Sequence, residues 1–474
     1  MSEYRILFID TIKNSDNYPP LGIGYLISSL RSKYKNDIIN FKVINNNIEN
    51  ELNYFKPSIV GISCVSANYN LAINYSIIIK KYNLPIIIGG AHISMLPCSL
   101  TKDMDVGVLG EGEETICDLF EVYKNEGAFD KHKLKYINGI VYINEAGNYH
   151  VTPRRNLIQP LDRIPFPSRD ILKIDSNTYM FTGRGCPYKC IFCSSTRFWD
   201  NVRLNSAEYV VNEIQQLYDL YNVKSVYFCD DIFILSIHRI KMMIKLLEEK
   251  GLLGKIRYSC ACRSNLVNEK TISLLKMLGV THITMGFESG CDKTLKYLKG
   301  NSICVKDHES AIRIIREYGI EIMGGFIVGS PEESKEDILE TIDFIKRNQL
   351  INVSIYPLTP LPGTPIWDYA KKRNLVNDKM NWDLLSFSNF QYNKSASVHI
   401  SEKMTRKELY NIIQLFRWQR RKIILKSLVK ECFINPSKIP YVIVMLIKKI
   451  IFKLTRSYLF VHGNGYFKKY IIDS

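Results

Sequence analysis

The stretch Tyr179–Ser195, YMFTGRGCPYKCIFCSS, decides how the rest of the chain is read. A run suited to a β-strand ends at Gly183 and Gly185, and three cysteines follow at the spacing CxxxCxxC: Cys186, Cys190 and Cys193. Thiolates are soft ligands, and several on one loop can wrap a single iron–sulfur cluster. Three protein ligands on a four-iron cube leave one iron open to a substrate or cofactor. A structural zinc site wants two ligand pairs. No second pair follows at that spacing, since Cys260 and Cys262 are one residue apart within an expected strand. Chance grouping in a chain with 12 cysteines is the remaining alternative, and the strand–loop context argues against it.

Towards the C-terminus the pattern is a βα series. Expected strands are YMFTGRG, SVYFCD, IRYSCAC, HITMGFES, EIMGGFIVG and NVSIYPLTP, with helices such as Ala207–Tyr221, His238–Lys250, Glu269–Leu278 and Lys335–Arg347 between them. Six strands alternating with helices predict a partial or full (β/α) barrel, with its site at the C-terminal strand ends.

Towards the N-terminus, RILFID, FKVINN, IVGISCVS, PIIIGG and DVGVLGEGEET are short apolar runs separated by helical stretches such as Leu21–Tyr34 and LAINYSIIIKKY. Apolar strands alternating with helices predict an α/β doubly wound parallel sheet. Its ligands would lie beyond the carboxyl ends of the strands, where Gly89, Gly90, Gly110 and Gly112 fall. KLKYINGIVYINEAGNYHVTP predicts a hairpin, and LDRIPFPSRD, with Pro165 and Pro167, an extended linker. The expected organisation is a doubly wound domain over 1–135, hairpin and linker over 136–175, a barrel core over 176–365 and a mainly helical, basic region over 366–474.

The net charge of +16 is concentrated at the end: residues 401–474 hold 16 Lys and Arg against 4 Asp and Glu, a net +12. Such a region seeks an anionic partner. Two of its stretches, WQRRKIILKSLVKECF and YVIVMLIKKIIFKLTRSYLF, mix apolar and basic residues at helical spacing. A helix of that kind either lies in a membrane interface or packs its apolar side on the barrel. No nucleic-acid-binding module is recognisable. The first residues lack the basic and apolar regions of a secretory signal, and no apolar run is long enough to span a bilayer. The expected location is cytoplasmic, with contact to the inner face of the membrane as an option, and the cysteines are expected as thiols or metal ligands.

The loop GRGCPYKCIFC resembles the signature of the radical S-adenosylmethionine (radical SAM) superfamily, and the similarity extends over about residues 176–365. The resemblance implies a 4Fe–4S cluster on Cys186, Cys190 and Cys193. It also implies S-adenosylmethionine bound at the open iron, a 5′-deoxyadenosyl radical, and a reducing partner such as flavodoxin or ferredoxin. By position it implies Phe192 beside the adenine, and Asp230 and Asp231 of FCDDIF near the methionine amino group. Arg263 of CACRSNL would meet the carboxylate, Glu288 and Ser289 of GFESG the ribose, and Gly324 of GGFIVGSPEES would back the adenine. Plainer alternatives are a helix cap for Asp230–Asp231, a surface ion pair for Arg263 and a structural carboxylate at Glu288.

PPLGIGYL, VGISCVSANYNLAI, PIIIGGAHISMLP and VLGEGEET, taken together, resemble the cobalamin-binding domain fused to one large radical SAM subgroup. That implies cobalamin with its nucleotide tail near Ser63, Ser66, Gly89, Gly90 and Gly110–Gly112, with Glu111 and His92 as further contacts. Many such domains supply a cobalt-ligating histidine from DxHxxG. Here the sequence after the first strand is DTIKNS, with Ile12 at the ligand position, and no histidine precedes His92. The implied form is base-off without histidine ligation. The implied activity is methyl transfer to an unactivated carbon of a small-molecule or lipid substrate. Radical cyclisation, oxidation or rearrangement on the same architecture is the alternative, and a cobalamin- or redox-sensing binding protein the second.

Overall fold

A computed structural model describes residues 3–12, 19–386, 395 and 397–418. The two basic helices expected after Trp418 lie outside the described residues, and with them the expected membrane contact. Among the described residues no helix is long and apolar enough to cross a membrane.

The first sheet has seven strands: β1 (Glu3–Asp10), β2 (Ile38–Ile44), β3 (Ile59–Ser63), β4 (Ile86–Gly89), β5 (Val106–Val108), β6 (Ile140–Ile143) and β7 (Tyr149–Val151), in the order β2-β1-β3-β4-β5-β6-β7. The first five are parallel. The hairpin β6–β7 continues the same sheet antiparallel to β5, so it is part of this body rather than a separate connector. Both faces are buried. Leu7 and Ile9 of β1 join one core, and Ile6 and Phe8 join the other. Burial on both faces is why these strands read as unbroken apolar runs. In the order 2-1-3-4-5 the strand sequence reverses direction between β1 and β3, which opens a crevice at their carboxyl ends.

The second sheet has six parallel strands in the order β15-β14-β13-β12-β11-β8. They are β8 (Asn177–Met180), β11 (Ser225–Phe228), β12 (Arg257–Cys262), β13 (Val280–Glu288), β14 (Glu321–Val328) and β15 (Asn352–Pro357). A two-stranded ribbon, β9 (Gly183–Arg184) with β10 (Arg203–Leu204), stands beside it. The sheet curls into a half-barrel with helices outside. Burial alternates along each strand: Tyr258, Cys260 and Cys262 of β12 and Ile283, Met285 and Phe287 of β13 pack under the helices. Their neighbours Ala261, Thr284 and Gly286 turn to the half-open inner face. The helix limits follow from caps. Ser206 accepts from Tyr209 N to start Ala207–Tyr221, Asn268 accepts from Thr271 N to start Glu269–Leu278, and Ser334 with Asp337 forms a capping box for Lys335–Arg347.

One core joins the two sheets. Leu7, Ile9, Val60 and Ile88 of the first sheet pack with Leu298, Leu358, Ile366, Trp367 and Trp382 from the barrel and its C-terminal extension. The carboxyl ends of both sheets therefore open towards a shared interface.

Candidate active site

The cysteine loop is closed at its base by the β9–β10 ribbon, with Arg184 paired to Arg203. Cys190 is buried and Cys186 and Cys193 are half-buried. Burial pushes the Cys186 thiol up to about 11, with the Asp231 carboxylate and the other two thiols adding to the shift. Burial also raises Cys193, and the Asp231 and Cys190 charges add to it. Among the described residues no three His, Cys, Asp or Glu side chains converge on a point that one metal ion would fill. A cluster makes no such demand, because each thiolate binds a different iron. Three neighbouring thiols on one loop, facing a cation at Arg263, fit that group. Iron binding would displace their protons.

Arg263 is 5% exposed. Its Nη1 lies 3.5 Å from Cys190 Sγ, its Nη2 donates to Ser302 Oγ at 2.7 Å, its Nε donates to Asn265 Oδ1 at 3.1 Å, and its plane covers the Tyr188 ring at 3.9 Å. It is a buried fork beside the cluster loop and not a surface ion pair.

The two aspartates of FCDDIF divide. Asp230 is buried and accepts from Thr182 N at 2.6 Å, from the Thr182 hydroxyl and from Gly183 N at 3.1 Å. Burial pushes its carboxyl up to about 6 against the pull of Arg239. Its hydrogen bonds to Thr182 and Gly183 fix the strand end that launches the cysteine loop, and Arg239 lies 3.7 Å away on the next helix. Asp231 is exposed, accepts from Ser195 Oγ at 2.6 Å and lies within electrostatic reach of Cys186 and Cys193.

Glu288 ends β13 with φ +65°, in the left-handed region that non-glycine residues rarely adopt. The β13–β14 register shifts there. Its Oε1 pairs with Lys299 Nζ at 3.1 Å, and both side chains are largely buried. The left-handed backbone at this strand end is thus held in place by a buried ion pair. Ser289 is fully buried, with its hydroxyl bonded to Thr341 Oγ1 at 2.9 Å and accepting from Cys291 N at 3.1 Å. A Cβ on Gly324 would meet the Phe287 ring at 3.0 Å, on the helix side of the sheet. Gly325 is the glycine of the pair that faces inward, directly in register with Gly286. Phe192 packs partly buried into the core shared with the first sheet.

At the first sheet, Ser63 and Ser66 flank the crevice beside β1. Thr11 N donates to Ser63 O at 3.2 Å, which ties the β1 and β3 ends together. Gly89 and Gly90 end β4. Gly90 has φ +106°, and a Cβ there would lie 2.3 Å from Cys64 O, so only glycine fits. Gly110 N donates to Ser94 Oγ at 3.0 Å, and Gly112 precedes the helix Glu113–Glu126. These elements supply bare backbone and hydroxyls along the edge, a fit for a large ligand laid over the strand ends. His92 is fully buried. Its ring stacks on Tyr69 at 3.8 Å, meets Trp382 edge-on at 4.5 Å and bonds Ser66 Oγ through Nδ1 at 3.0 Å. Burial pushes it down to about 3, which keeps it neutral.

Glu111 does not face the crevice. Its carboxylate accepts Arg203 Nη1 at 2.9 Å, Arg203 Nη2 at 3.0 Å, Arg184 Nη1 and Ile158 N at 2.7 Å. Burial alone would raise the carboxyl, and the arginines outweigh it and hold it below its ordinary value. Arg184 also pairs with Glu113, and Trp199 lies beside both guanidinium groups, at 5.4 Å and 5.6 Å. Arg184, Arg203, Lys299 and Trp199 are neighbours of the candidate site residues that the sequence did not reveal. The one signal was Arg184 itself, two positions before the first cysteine. The helix Ala91–Met95, after β4, packs against the helix Ser195–Phe198, after Cys193, so the two strand-end sites touch.

The family model described as the Radical SAM superfamily matches residues 180–345, and that of the B12 binding domain matches residues 10–120. An uncharacterized methyltransferase of Pyrococcus horikoshii is 32% identical, over 77% of this chain and 81% of that protein. An anaerobic magnesium-protoporphyrin IX monomethyl ester cyclase of Rubrivivax gelatinosus is 27% identical, over 77% of this chain and 69% of that protein. Among solved structures, the radical S-adenosylmethionine methyltransferase TsrM from Kitasatospora setae, with tryptophan and a SAM analogue bound, superposes with a TM-score of 0.68. It covers 87% of this chain and 89% of that one at 16% identity, a likeness of fold.

Proposed function

Because this chain belongs to the radical SAM superfamily and carries a B12-binding domain, and is thus an enzyme using a 4Fe–4S cluster, S-adenosylmethionine and cobalamin, we propose that it transfers a methyl group to an unactivated carbon. The observation that supports this reading is the contact between the helices Ala91–Met95 and Ser195–Phe198, one beside each strand edge proposed to hold a cofactor. When bound, the cluster with S-adenosylmethionine supplies a carbon-centred radical and cobalamin supplies the methyl group. Cys186, Cys190 and Cys193 would hold the cluster. Arg263, braced by Asn265 and Ser302, offers paired N–H donors to a carboxylate. Asp231 accepts from an ammonium, and the Glu288 carboxylate, set by Lys299, accepts from ribose hydroxyls. Ser63, Gly89, Gly90 and Gly110 would line the cobalamin tail, with no histidine ligand from this chain. Burial around Arg263 and Glu288 excludes water from the reacting groups. A lipid-like substrate, met at a membrane surface through the basic C-terminal region, fits the charge of that region.

The test is protein purified without oxygen from cells supplied with cobalamin, then reduced and given S-adenosylmethionine carrying a deuterated methyl group. The expected result is about one cobalamin and one cluster per chain, 5′-deoxyadenosine formed, and the label exchanged onto cobalamin. A second reading, radical cyclisation or oxidation without methyl transfer, is favoured by the similarity to the magnesium-protoporphyrin cyclase. Cluster and 5′-deoxyadenosine with unlabelled cobalamin would select it. Protein with an intact cluster that cleaves no S-adenosylmethionine would sink both and leave a binding protein.

A further inference from the structure

The two ends of the cysteine loop meet in the β9–β10 ribbon, and the residues paired there are both arginines, Arg184 and Arg203. Both close on the same carboxylate, Glu111, which comes from the other domain. The side chains are 12%, 5% and 3% exposed respectively. Glu111 stands between Gly110 and Gly112, in the turn after β5 at the carboxyl edge of the first sheet. A buried carboxylate gripped by two guanidinium groups is rigid, because releasing it would strand buried charge. The turn at one cofactor site is thus bolted to both ends of the loop that forms the other.

We infer that Glu111 is a positioning residue that couples the two sites: whatever orders the Gly110–Gly112 turn also sets the base of the cysteine loop, and the reverse. The inference rests on the function proposed above for the two sites. Coupling of binding free energies is reciprocal, so each cofactor tightens the other by the same factor. The wedge of Trp199 beside both arginines carries the restraint into the loop itself. Arg184 keeps Glu113 as a second partner, so loss of Glu111 loosens the bolt on the Arg203 side most.

The experiment is an anaerobic titration of the full chain with hydroxocobalamin, before and after reconstitution of the iron–sulfur cluster. In the natural protein the Kd is expected to be about 5- to 10-fold lower with the cluster in place, within the usual range for coupled sites. In Glu111→Gln the two Kd values should converge while each cofactor still binds, and Glu111→Asp should restore part of the difference. A merely structural role would weaken both Kd values alike and leave their ratio untouched. Should Glu111→Gln fail to fold, Arg203→Lys carries the test, since it keeps the charge, loses the paired hydrogen bonds to Glu111 and should lower the same ratio. An unchanged ratio in a folded variant, or a ratio of one in the natural protein, overturns the coupling. Natural protein that takes up no cobalamin, or no cluster, overturns the function proposed above instead.

Discussion

The carboxyl edges of the two sheets are made of different chemistry. Along the first, Ser63, Gly89, Gly90 and Gly110 present hydroxyls and backbone, and its acidic residue Glu111 is turned back into arginines. Along the second, Arg263, Asp231 and Glu288 bring basic and acidic side chains to the strand ends, beside a loop of thiols. An edge of backbone and small groups recognises by shape and lets a broad ligand lie close. An edge with opposed charges recognises a compact ligand that carries both signs. The two domains divide recognition in this way, and the division can be attacked from either side.

The largest effect is expected from Cys190→Ala. Iron and sulfide should fall to background and the visible absorption of the cluster should vanish, because the two remaining thiolates do not hold a cube. Cobalamin should still bind, weakened only by the loss of coupling. If cobalamin uptake disappeared along with the cluster, the two edges would be one site and the division would fail.

The next effect belongs to the first edge. Gly90→Ala places a Cβ 2.3 Å from Cys64 O in a backbone of φ +106°. It should cost roughly 2–3 kcal/mol of stability, seen as a lower Tm, by forcing a strained backbone and a clash together. Cobalamin uptake should fall while cluster content per folded chain stays constant. At the second edge, Arg263→Lys keeps the charge and loses the fork. The KM for S-adenosylmethionine should rise about tenfold, or ~1.4 kcal/mol, with cluster content unchanged. A rise of the same size with cobalamin as the varied ligand would contradict the assignment of charge to the second edge.

The architecture was legible in the sequence because it is written in apolar periodicity. The five parallel strands of the first sheet and the six of the half-barrel fall at the expected stretches, and Ala207–Tyr221, Glu269–Leu278 and Lys335–Arg347 have the expected limits, since caps such as Ser206, Asn268 and Ser334 are local signals. The joining of the hairpin to β5 was not legible, because edge pairing leaves no mark in either strand. Side-chain direction was the harder matter. Ser289 and Gly324 lie in the expected segments yet point to the helix side, since one residue along a strand reverses the face. Glu111 and Asp230 were hidden for another reason. A carboxylate in a glycine-flanked turn looks like a ligand until its arginine or amide partners, distant in sequence, are seen.

The smallest effect concerns what burial does to a carboxylate, and it sharpens the contrast between the edges. Glu111 and Glu333 are both buried, yet their shifts are opposite. Glu111 has arginines. Glu333, just beyond β14 at the second edge, accepts only Gly329 N at 2.5 Å and Ser330 N at 3.0 Å. Burial pushes its carboxyl up to about 7, the backbone N–H groups and Lys293 resist, and Asp337 adds to the rise. The folded chain therefore keeps a proton that the unfolded chain releases above its ordinary value of 4.5. The stabilisation from that proton is fully present below pH 4.5 and is lost as pH rises through about 7. Glu333→Gln is neutral at every pH and keeps an oxygen for the same amides. Its stability should match that of the natural protein near pH 5 and exceed it increasingly towards pH 8, by on the order of 1 kcal/mol and seen as a higher Tm. A Tm difference that stays flat across that range would mean that Glu333 is ionised throughout, and that the second edge holds one more fixed negative charge than its geometry allows.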